Sequence, residues 1–203
     1  MLNLLQARLH DSGGGLHFEA SHQSYAEIVE CASRQAGQLS IGSTVVLVAE
    51  NSLDLVQALL AAWWAGCTPV CLPPPARLQQ AGPYDDFLRS ALDYCGAEGG
   101  WCDARLQNRL PGKWRSLPIP AGESASAPGQ PAEVAYIQFS SGTTLEPKAT
   151  HLSHANLRHN LEAIVSQLPG DRSAHSCVSW LPLYHDMGLV GCLLSALYAP
   201  GPL

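Results

Sequence analysis

The chain of 203 residues is 46% hydrophobic and only 14% charged, and its net charge is −6. This length fits one domain or one large piece of a domain, and the sparse charge suggests that something else covers part of the surface. The acidic balance argues against nucleic-acid binding, which needs a basic stripe that neutralises phosphates.

Membrane insertion, secretion and metal binding are not indicated either. The longest apolar run, residues 55–70, is too short and too interrupted to span a bilayer. Residues 1–15 lack the basic start and the small-residue cleavage site of a secretory signal, and the seven cysteines include no CxxC pair, so we predict a cytoplasmic protein with reduced thiols. His151, His154 and His159 lack a suitably spaced thiolate or carboxylate, so we predict no metal site.

The first half of the chain begins with a helical pattern over residues 24–39 and then shows a strand, a helix and a strand. The strand is predicted over the β-branched run 43–50, and the helix over 52–66, from a capping serine to a glycine. The second strand, in the segment CTPVCLPPP (67–75), stops at three prolines. Such a run implies parallel strands joined by a right-handed crossover.

The middle of the chain continues the alternation and then changes character. Helical spacing predicts a helix over residues 84–96, and GGWCDA (99–104) contains a possible short strand. Residues 111–133 are rich in Pro, Gly, Ala and Ser. This composition predicts a surface connection with little regular structure that joins two layers of sheet.

The last third of the chain supplies the remaining elements. VAYIQFS (134–140) predicts a strand, and a helix is predicted over 154–168 with Ser153 as its N-cap. Residues 174–203 predict one more strand, a polar break at residues 184–186 and a final helix. The alternation of strands and helices, without an internal repeat, predicts an α/β fold.

The loop SSGTTLEPK (residues 140–148) carries the candidate chemistry. A phosphate site needs converging backbone N–H groups, hydroxyls and a cation, and this loop supplies four hydroxyls around a glycine and one lysine. A solvated polar turn is the alternative interpretation. The candidate phosphate-binding residues are Ser140, Ser141, Gly142, Thr143, Thr144 and Lys148.

Two other enzyme classes fit this loop poorly. The spacing from glycine to lysine is that of a Walker P-loop, but Pro147 replaces the second glycine and Ala149 replaces the magnesium-binding Ser or Thr. A serine hydrolase would need Ser141, His185 and Asp186 to cooperate. The sequence has no GxSxG elbow, and an adjacent His and Asp do not easily form a serial relay.

Four segments, in the same order, resemble the adenylate-forming superfamily of acyl-CoA synthetases, fatty acyl-AMP ligases, adenylation domains and luciferases. They are SYAEI (24–28), LLAAWWAGCTPVCLPPP (59–75), YIQFSSGTTLEPKATHLSHANL (136–157) and SWLPLYHDMGLVG (179–191). The last segment is especially similar to the fatty acyl-AMP ligase branch. The resemblance implies the N-terminal portion of the large subdomain of such an enzyme, with a mostly parallel sheet flanked by helices.

The resemblance also implies a two-step reaction. A carboxylate, that of a fatty acid in this branch, attacks the α-phosphate of ATP, pyrophosphate leaves, and the acyl group then passes to a thiol. By this resemblance residues 140–148 hold the departing phosphates with the help of Mg²⁺, and His185 lines the acyl pocket beside the reacting carboxylate. A helix N-terminal histidine bonded to the backbone is the alternative for His185.

The acceptor implied by the resemblance is an acyl carrier protein, with CoA as the alternative. A non-catalytic binding module is a further alternative, because the family usually has glycine at the positions of Leu145 and Ala149. The nucleoside-binding motifs and the C-terminal lid of the family have no counterpart in this sequence. We therefore expect residues 1–203 to be an incomplete N-terminal subdomain that needs the remainder of the same enzyme, C-terminal to Leu203, for activity.

Overall fold

The structure, a computed structural model, describes residues 1–11, 13–75, 81–140, 148–169 and 176–199. The strands are β1 (Gly15–Phe18), β2 (Ser21–Ser24), β3 (Thr44–Val48), β4 (Thr68–Leu72), β5 (Gly99–Cys102), β6 (Lys113–Ser116), β7 (Val134–Ser140) and β8 (Lys148–Ser153). The helices are α1 (Leu2–Arg8), α2 (Tyr25–Gln35), α3 (Leu53–Trp64), α4 (Ala81–Cys95), α5 (His154–Ser166) and α6 (Ser195–Tyr198). Two 3₁₀ turns (Ala36–Gln38 and Ala104–Leu106) and a π-helical segment (Met187–Leu194) complete the elements of these described ranges.

A parallel sheet with strand order β4-β3-β5-β6 forms the centre of the molecule, which confirms the α/β prediction. Successive residues of β3 alternate between two hydrophobic clusters: Val45 and Leu47 belong to one, Val46 and Val48 to the other. Both faces of the sheet are therefore covered, as parallel sheets require. Helices α2 and α3 belong to the first cluster and α4 to the second.

The unit β3–α3–β4 forms as the sequence predicts, and its strands pair in parallel. Ser52 caps α3 because its hydroxyl accepts a hydrogen bond from the Leu55 N–H (3.1 Å). The chain leaves α3 through Gly66, whose φ of 75° favours glycine. Most of α3 is buried, so this unit is a firmly packed part of the core, and the segments that follow β3 and β4 start from fixed positions.

The structure differs from the prediction for residues 111–133. Lys113–Ser116 form β6, which pairs in parallel with β5 at the edge of the sheet. The rest of this segment has no regular structure and packs against α3, where the Trp64 indole donates to the Ser126 carbonyl (2.8 Å). The Pro/Gly/Ser-rich connection is therefore shorter than its composition suggests, and it leads from β6 to β7.

A second difference concerns the residues after the candidate loop. Instead of entering a helix directly, the chain forms β8, which pairs antiparallel with β7. Ser153 ends β8 and caps α5, as predicted, by accepting a hydrogen bond from the Asn156 N–H (3.1 Å). The loop therefore joins the two strands of a hairpin, and α5 begins at His154, where the sequence predicts it.

The segment that follows α5 also departs from prediction. No strand forms in residues 176–183, where Val178 and Trp180 are 92% and 86% exposed. The predicted polar break and final helix are present as a turn followed by the π-helical segment and α6. Within the described ranges, none of the helices is both long enough and apolar enough to cross a membrane.

Candidate functional site

The candidate site lies at the carboxyl edge of the parallel sheet. The Thr68 hydroxyl at the start of β4 donates to the Val134 carbonyl at the start of β7 (2.8 Å), so the two strands begin on the same side. Further along, the Cys71 N–H donates to the Tyr136 hydroxyl (3.2 Å). β7 therefore ends at the edge where β3 and β4 end, which is where open α/β sheets bind their ligands.

The candidate phosphate loop opens from this edge. Ser140 ends β7 and Lys148 begins β8, and the two are register partners across the hairpin. The hairpin therefore holds both ends of the loop about 5 Å apart, the usual distance between paired residues. The Lys148 side chain is exposed. Four of the predicted residues and one departure from the family pattern lie outside the described residues: Ser141, Gly142, Thr143, Thr144 and Leu145.

The second departure from the family pattern, Ala149, has a clear place in the structure. It lies in β8 opposite Phe139. Its side chain is half-buried and packs against the hydrophobic cluster that contains Phe139. A side chain at this strand position is accommodated, so the alanine does not distort the described end of the loop.

Asn51 ties the end of β3 to the turn before His185. Its Nδ2 donates to the Leu181 carbonyl (2.8 Å), and its Oδ1 accepts from the Leu183 N–H (2.9 Å). Only one orientation of the amide satisfies both bonds, because the carbonyl needs a donor and the N–H needs an acceptor. The turn is thereby fixed to the carboxyl end of the central strand.

Gln138 fixes the same turn from β7. Its Nε2 donates to the Tyr184 carbonyl (3.0 Å) and to the Phe139 carbonyl (3.1 Å). Gln138 lies two residues before the end of β7, where the candidate loop begins. The turn that carries His185 is therefore held beside the strand that leads into the loop.

The ring of His185 is on the surface of this turn, with 57% of its side chain exposed. Its Nδ1 lies 2.9 Å from Oδ1 of Asp186, which also accepts a hydrogen bond from the Met187 N–H (2.7 Å). These two hydrogen bonds lower the pKa of the Asp186 carboxyl. A carboxylate that accepts at Nδ1 favours the tautomer that leaves Nε2 as an acceptor. The ring is thus bonded to a side chain and not to the backbone.

An apolar cavity of about 570 Å³ adjoins the turn. Its walls include Tyr25 on α2, Asn51, Leu183 and, from the π-helical segment, Cys192 and Leu193. Cavities of this size are typical of small-molecule sites. The turn therefore lies between the carboxyl end of the sheet, to which Asn51 bonds it, and the apolar cavity, whose wall contains Leu183.

Two of the three clustered histidines, His151 and His154, are bonded to other groups. The ring of His151 is bonded to the Tyr94 hydroxyl (2.9 Å), and Nε2 of His154 to the Ala132 carbonyl (3.0 Å). In the part of the chain that the structure describes, no group of three or more His, Cys, Asp or Glu side chains is arranged to hold a metal ion.

Asn51 and Gln138 were not among the residues predicted from the sequence. Asn51 follows an apolar strand and precedes a capping serine, so it resembles an ordinary strand boundary. Gln138 is the only polar residue inside the run VAYIQF, and a polar side chain near the carboxyl end of a buried strand is the signal that was available.

Comparison with known proteins agrees with this geometry. The family of AMP-binding enzymes matches residues 10–202. A Caulobacter vibrioides protein named as a candidate acyl-CoA synthetase is 36% identical over 77% of this chain and 29% of its own length. The long-chain-fatty-acid–AMP ligase FadD28 of Mycobacterium tuberculosis is 31% identical over 83% of this chain and 32% of its own length. The chain thus spans about a third of the length of these two relatives.

One further relative matches only a third of this chain, and one solved structure matches almost all of it. The medium-chain-fatty-acid–[acyl-carrier-protein] ligase TtuA of Teredinibacter turnerae is 45% identical, but over only 34% of this chain and 11% of its own length. A solved structure from work on fatty acyl-adenylate ligases of E. coli and L. pneumophila superposes with a TM-score of 0.83 and 27% identity, over 99% of this chain and 40% of that one. The chain belongs to the family of AMP-binding enzymes, whose match takes in the hairpin loop and the His185 turn.

Proposed function

We propose that this chain is the N-terminal part of an enzyme that activates a fatty acid with ATP as its acyl-adenylate and passes the acyl group to the thiol of an acyl carrier protein. One observation carries the proposal. The Gln138 side chain bonds the turn of His185 to β7, and the candidate phosphate loop starts two residues further on. In this proposal, the group that binds the acid and the groups that bind the phosphates therefore lie beside the end of one strand.

In the proposed first step, a carboxylate oxygen of the acid attacks the α-phosphorus of ATP, and the bond to the pyrophosphate breaks. Negative charge then develops on the departing phosphates, and the loop from Ser140 to Lys148, with its hydroxyls and its ammonium group, stabilises it. His185 orients the carboxylate through Nε2–H when the ring is protonated, or through a bridging water when it is neutral.

The expected cofactor Mg²⁺ would neutralise part of the phosphate charge. Among the described residues no cluster of acids, histidines or thiols suits a metal ion, so we assign it no protein ligand. In this proposal the ion travels with the phosphates of ATP.

Cavity shape and surface charge bear on the nature of the acid and of the acceptor. An apolar cavity of about 570 Å³ beside the turn suits the hydrocarbon part of a fatty acid. CoA carries several phosphate charges and would need a basic patch, whereas most described basic side chains are paired with a neighbouring acid. These pairs are Arg8–Asp11, Arg34–Glu30, Arg89–Asp86, Arg105–Glu50, Lys113–Glu98 and Arg158–Glu162.

The alternative acceptor, CoA, is favoured by the name of the Caulobacter vibrioides relative, and the carrier protein by that of the Teredinibacter turnerae relative. The test uses the complete protein, ATP, Mg²⁺ and fatty acids of increasing chain length. Pyrophosphate release and an acyl-adenylate detected by mass spectrometry are the expected results. A phosphopantetheinylated carrier protein is then offered in competition with CoA.

Transfer to the carrier protein at a higher rate than to CoA supports the full proposal. Acyl-CoA formation without preference for the carrier protein replaces the acceptor with CoA. Absence of pyrophosphate release with every acid tested refutes the adenylating function and leaves the non-catalytic binding module.

A further inference from the structure

Two amide side chains bind three backbone groups of the turn before His185. Asn51 binds the Leu181 carbonyl and the Leu183 N–H, and Gln138 binds the Tyr184 carbonyl. The Pro182 carbonyl accepts from the His185 N–H (3.1 Å). Pro182 itself has no N–H. A turn with its polar groups bound in this way has few alternative conformations open to it.

Packing of Leu183 into the hydrophobic core also holds this turn in place. Leu183 is only 5% exposed and belongs to the first hydrophobic cluster. Leu181, Leu183 and Asn51 together form part of the wall of the apolar cavity. The His185 ring, in contrast, is more than half exposed. The structure thus presents an accessible ring on an immobilised backbone.

Asn51 is suited to this role by its chemistry. Its amide offers a donor and an acceptor on one short side chain, and the turn offers an acceptor and a donor two residues apart. Aspartate in the same position would keep the acceptor for the Leu183 N–H, but it would set a carboxylate oxygen against the Leu181 carbonyl. Alanine would remove both bonds.

We propose that Asn51, assisted by Gln138, is a positioning residue that holds His185 at the distance from the reacting carboxylate that adenylation needs. This inference rests on the proposed function of the His185 site. It assigns to the end of β3 a role in the reaction although Asn51 does not touch the substrate. Reaction rates depend steeply on such distances, because a misplacement of about 1 Å can cost about a hundredfold.

The experiment compares Asn51→Asp and Asn51→Ala in the complete protein with the matched control Asn160→Asp, which makes the same chemical change on the exposed face of α5. Hydrogen–deuterium exchange of the peptide that contains residues 181–186 reports on the turn without any need for activity. Steady-state pyrophosphate release gives kcat and the KM values for ATP and for the acid. Thermal unfolding reports on global stability.

In Asn51→Ala we expect exchange at the Leu183 amide to rise about tenfold, since one hydrogen bond to it is lost. In Asn51→Asp that amide stays protected. Both variants are expected to lower kcat about tenfold. The KM for ATP should stay within about twofold of the parent value, because Asn51 bonds the turn of His185, whereas the phosphate loop joins β7 and β8. The control is expected to match the parent in every measurement.

Three results would overturn the inference. The first is unchanged exchange and unchanged kcat in Asn51→Ala. The second is an equal effect of Asn160→Asp. The third is a loss of kcat that is fully accounted for by the unfolded fraction, which would make Asn51 a purely structural residue. If the complete protein releases no pyrophosphate with any acid, the proposed function fails, while the exchange data still decide whether Asn51 holds the turn.

Discussion

Gly188, directly after the Tyr-His-Asp-Met sequence, is expected to be indispensable because the helix and the turn touch there backbone to backbone. A Cβ at this position would come well inside 3.0 Å of the Pro182 carbonyl oxygen and would lie 3.0 Å from the Leu181 carbonyl oxygen. Real Cβ atoms essentially never come within 3.0 Å of such atoms. In Gly188→Ala the turn and the helix therefore have to separate by several tenths of an ångström.

The same segment offers a matched control. A Cβ at Gly191 would meet only the Met187 side chain, with its sulfur at 3.2 Å. Met187 is 62% exposed and flexible, so it can move aside. Gly191→Ala is therefore expected to show only the ordinary gain of about 0.5–1 kcal/mol for replacing a helical glycine.

Overpacking against rigid backbone typically costs about 1–3 kcal/mol. The two variants should consequently differ by about 2 kcal/mol or more in the free energy of unfolding, with Gly188→Ala the less stable, as measured by denaturant unfolding. Because the turn carries His185, Gly188→Ala should also lower the rate of pyrophosphate release by about tenfold or more. Equal stabilities and equal rates for the two alanine variants would show that helix and turn do not press against each other here.

Three further expectations concern the site. Lys148→Ala should raise the KM for ATP or lower kcat by an amount equivalent to about 1.5–3 kcal/mol, the usual value of a charge-assisted hydrogen bond, while Lys113→Ala, on an exposed lysine of β6, should leave both constants unchanged. Cys192→Trp should fill part of the apolar cavity and shift the preference in a competition assay towards shorter acids; an unshifted preference would separate the cavity from acyl binding. The pKa of the Asp186 carboxyl is lowered in the folded state, so its contacts should stabilise the fold above the unfolded pKa of about 3.9. This stabilisation should be lost as the pH falls from that value through the folded-state pKa, so the stability advantage over Asp186→Asn should shrink in acid.

The unit β3–α3–β4 was predictable because its signals are local. A β-branched apolar run, a capping serine and a glycine with positive φ each act over a few residues, and the structure contains all three. The start of α5 at Ser153 was predictable for the same reason. In contrast, β6 is a strand because of its partner. Its first residue, Lys113, pairs with Gly99 of β5, and a side chain on Gly99 would collide with the Lys113 carbonyl.

The hairpin of β7 and β8 illustrates a second limit. Phe139 pairs with Ala149 across a loop of nine residues, 140–148, whose composition is that of a polar turn, so no local signal marks the strand beyond it. β8 is largely polar, and three of its six residues are exposed, so its sequence lacks the clear alternation of a half-buried strand. Its strand conformation follows from backbone pairing, which leaves little trace in side-chain patterns.

The candidate site shows the same contrast between residues with local signals and residues that act through distant backbone contacts. His185 and Lys148 could be singled out as candidates because imidazole and ammonium groups are suited to binding carboxylates and phosphates, and few residue types carry such groups. Asn51 carries no comparable signal in the sequence, because it binds backbone groups. Its partners are the Leu181 carbonyl and the Leu183 N–H, and almost any residue at those positions would provide them. The hydrogen bond from Asn51 to the backbone 130 residues away requires a particular side chain only at position 51, and it requires no particular residue type at position 181. For this fold, then, candidate reactive groups are identified by residue type, whereas the residues that would hold them in place are identified only once the ends of β3 and β7 are seen to meet at one turn.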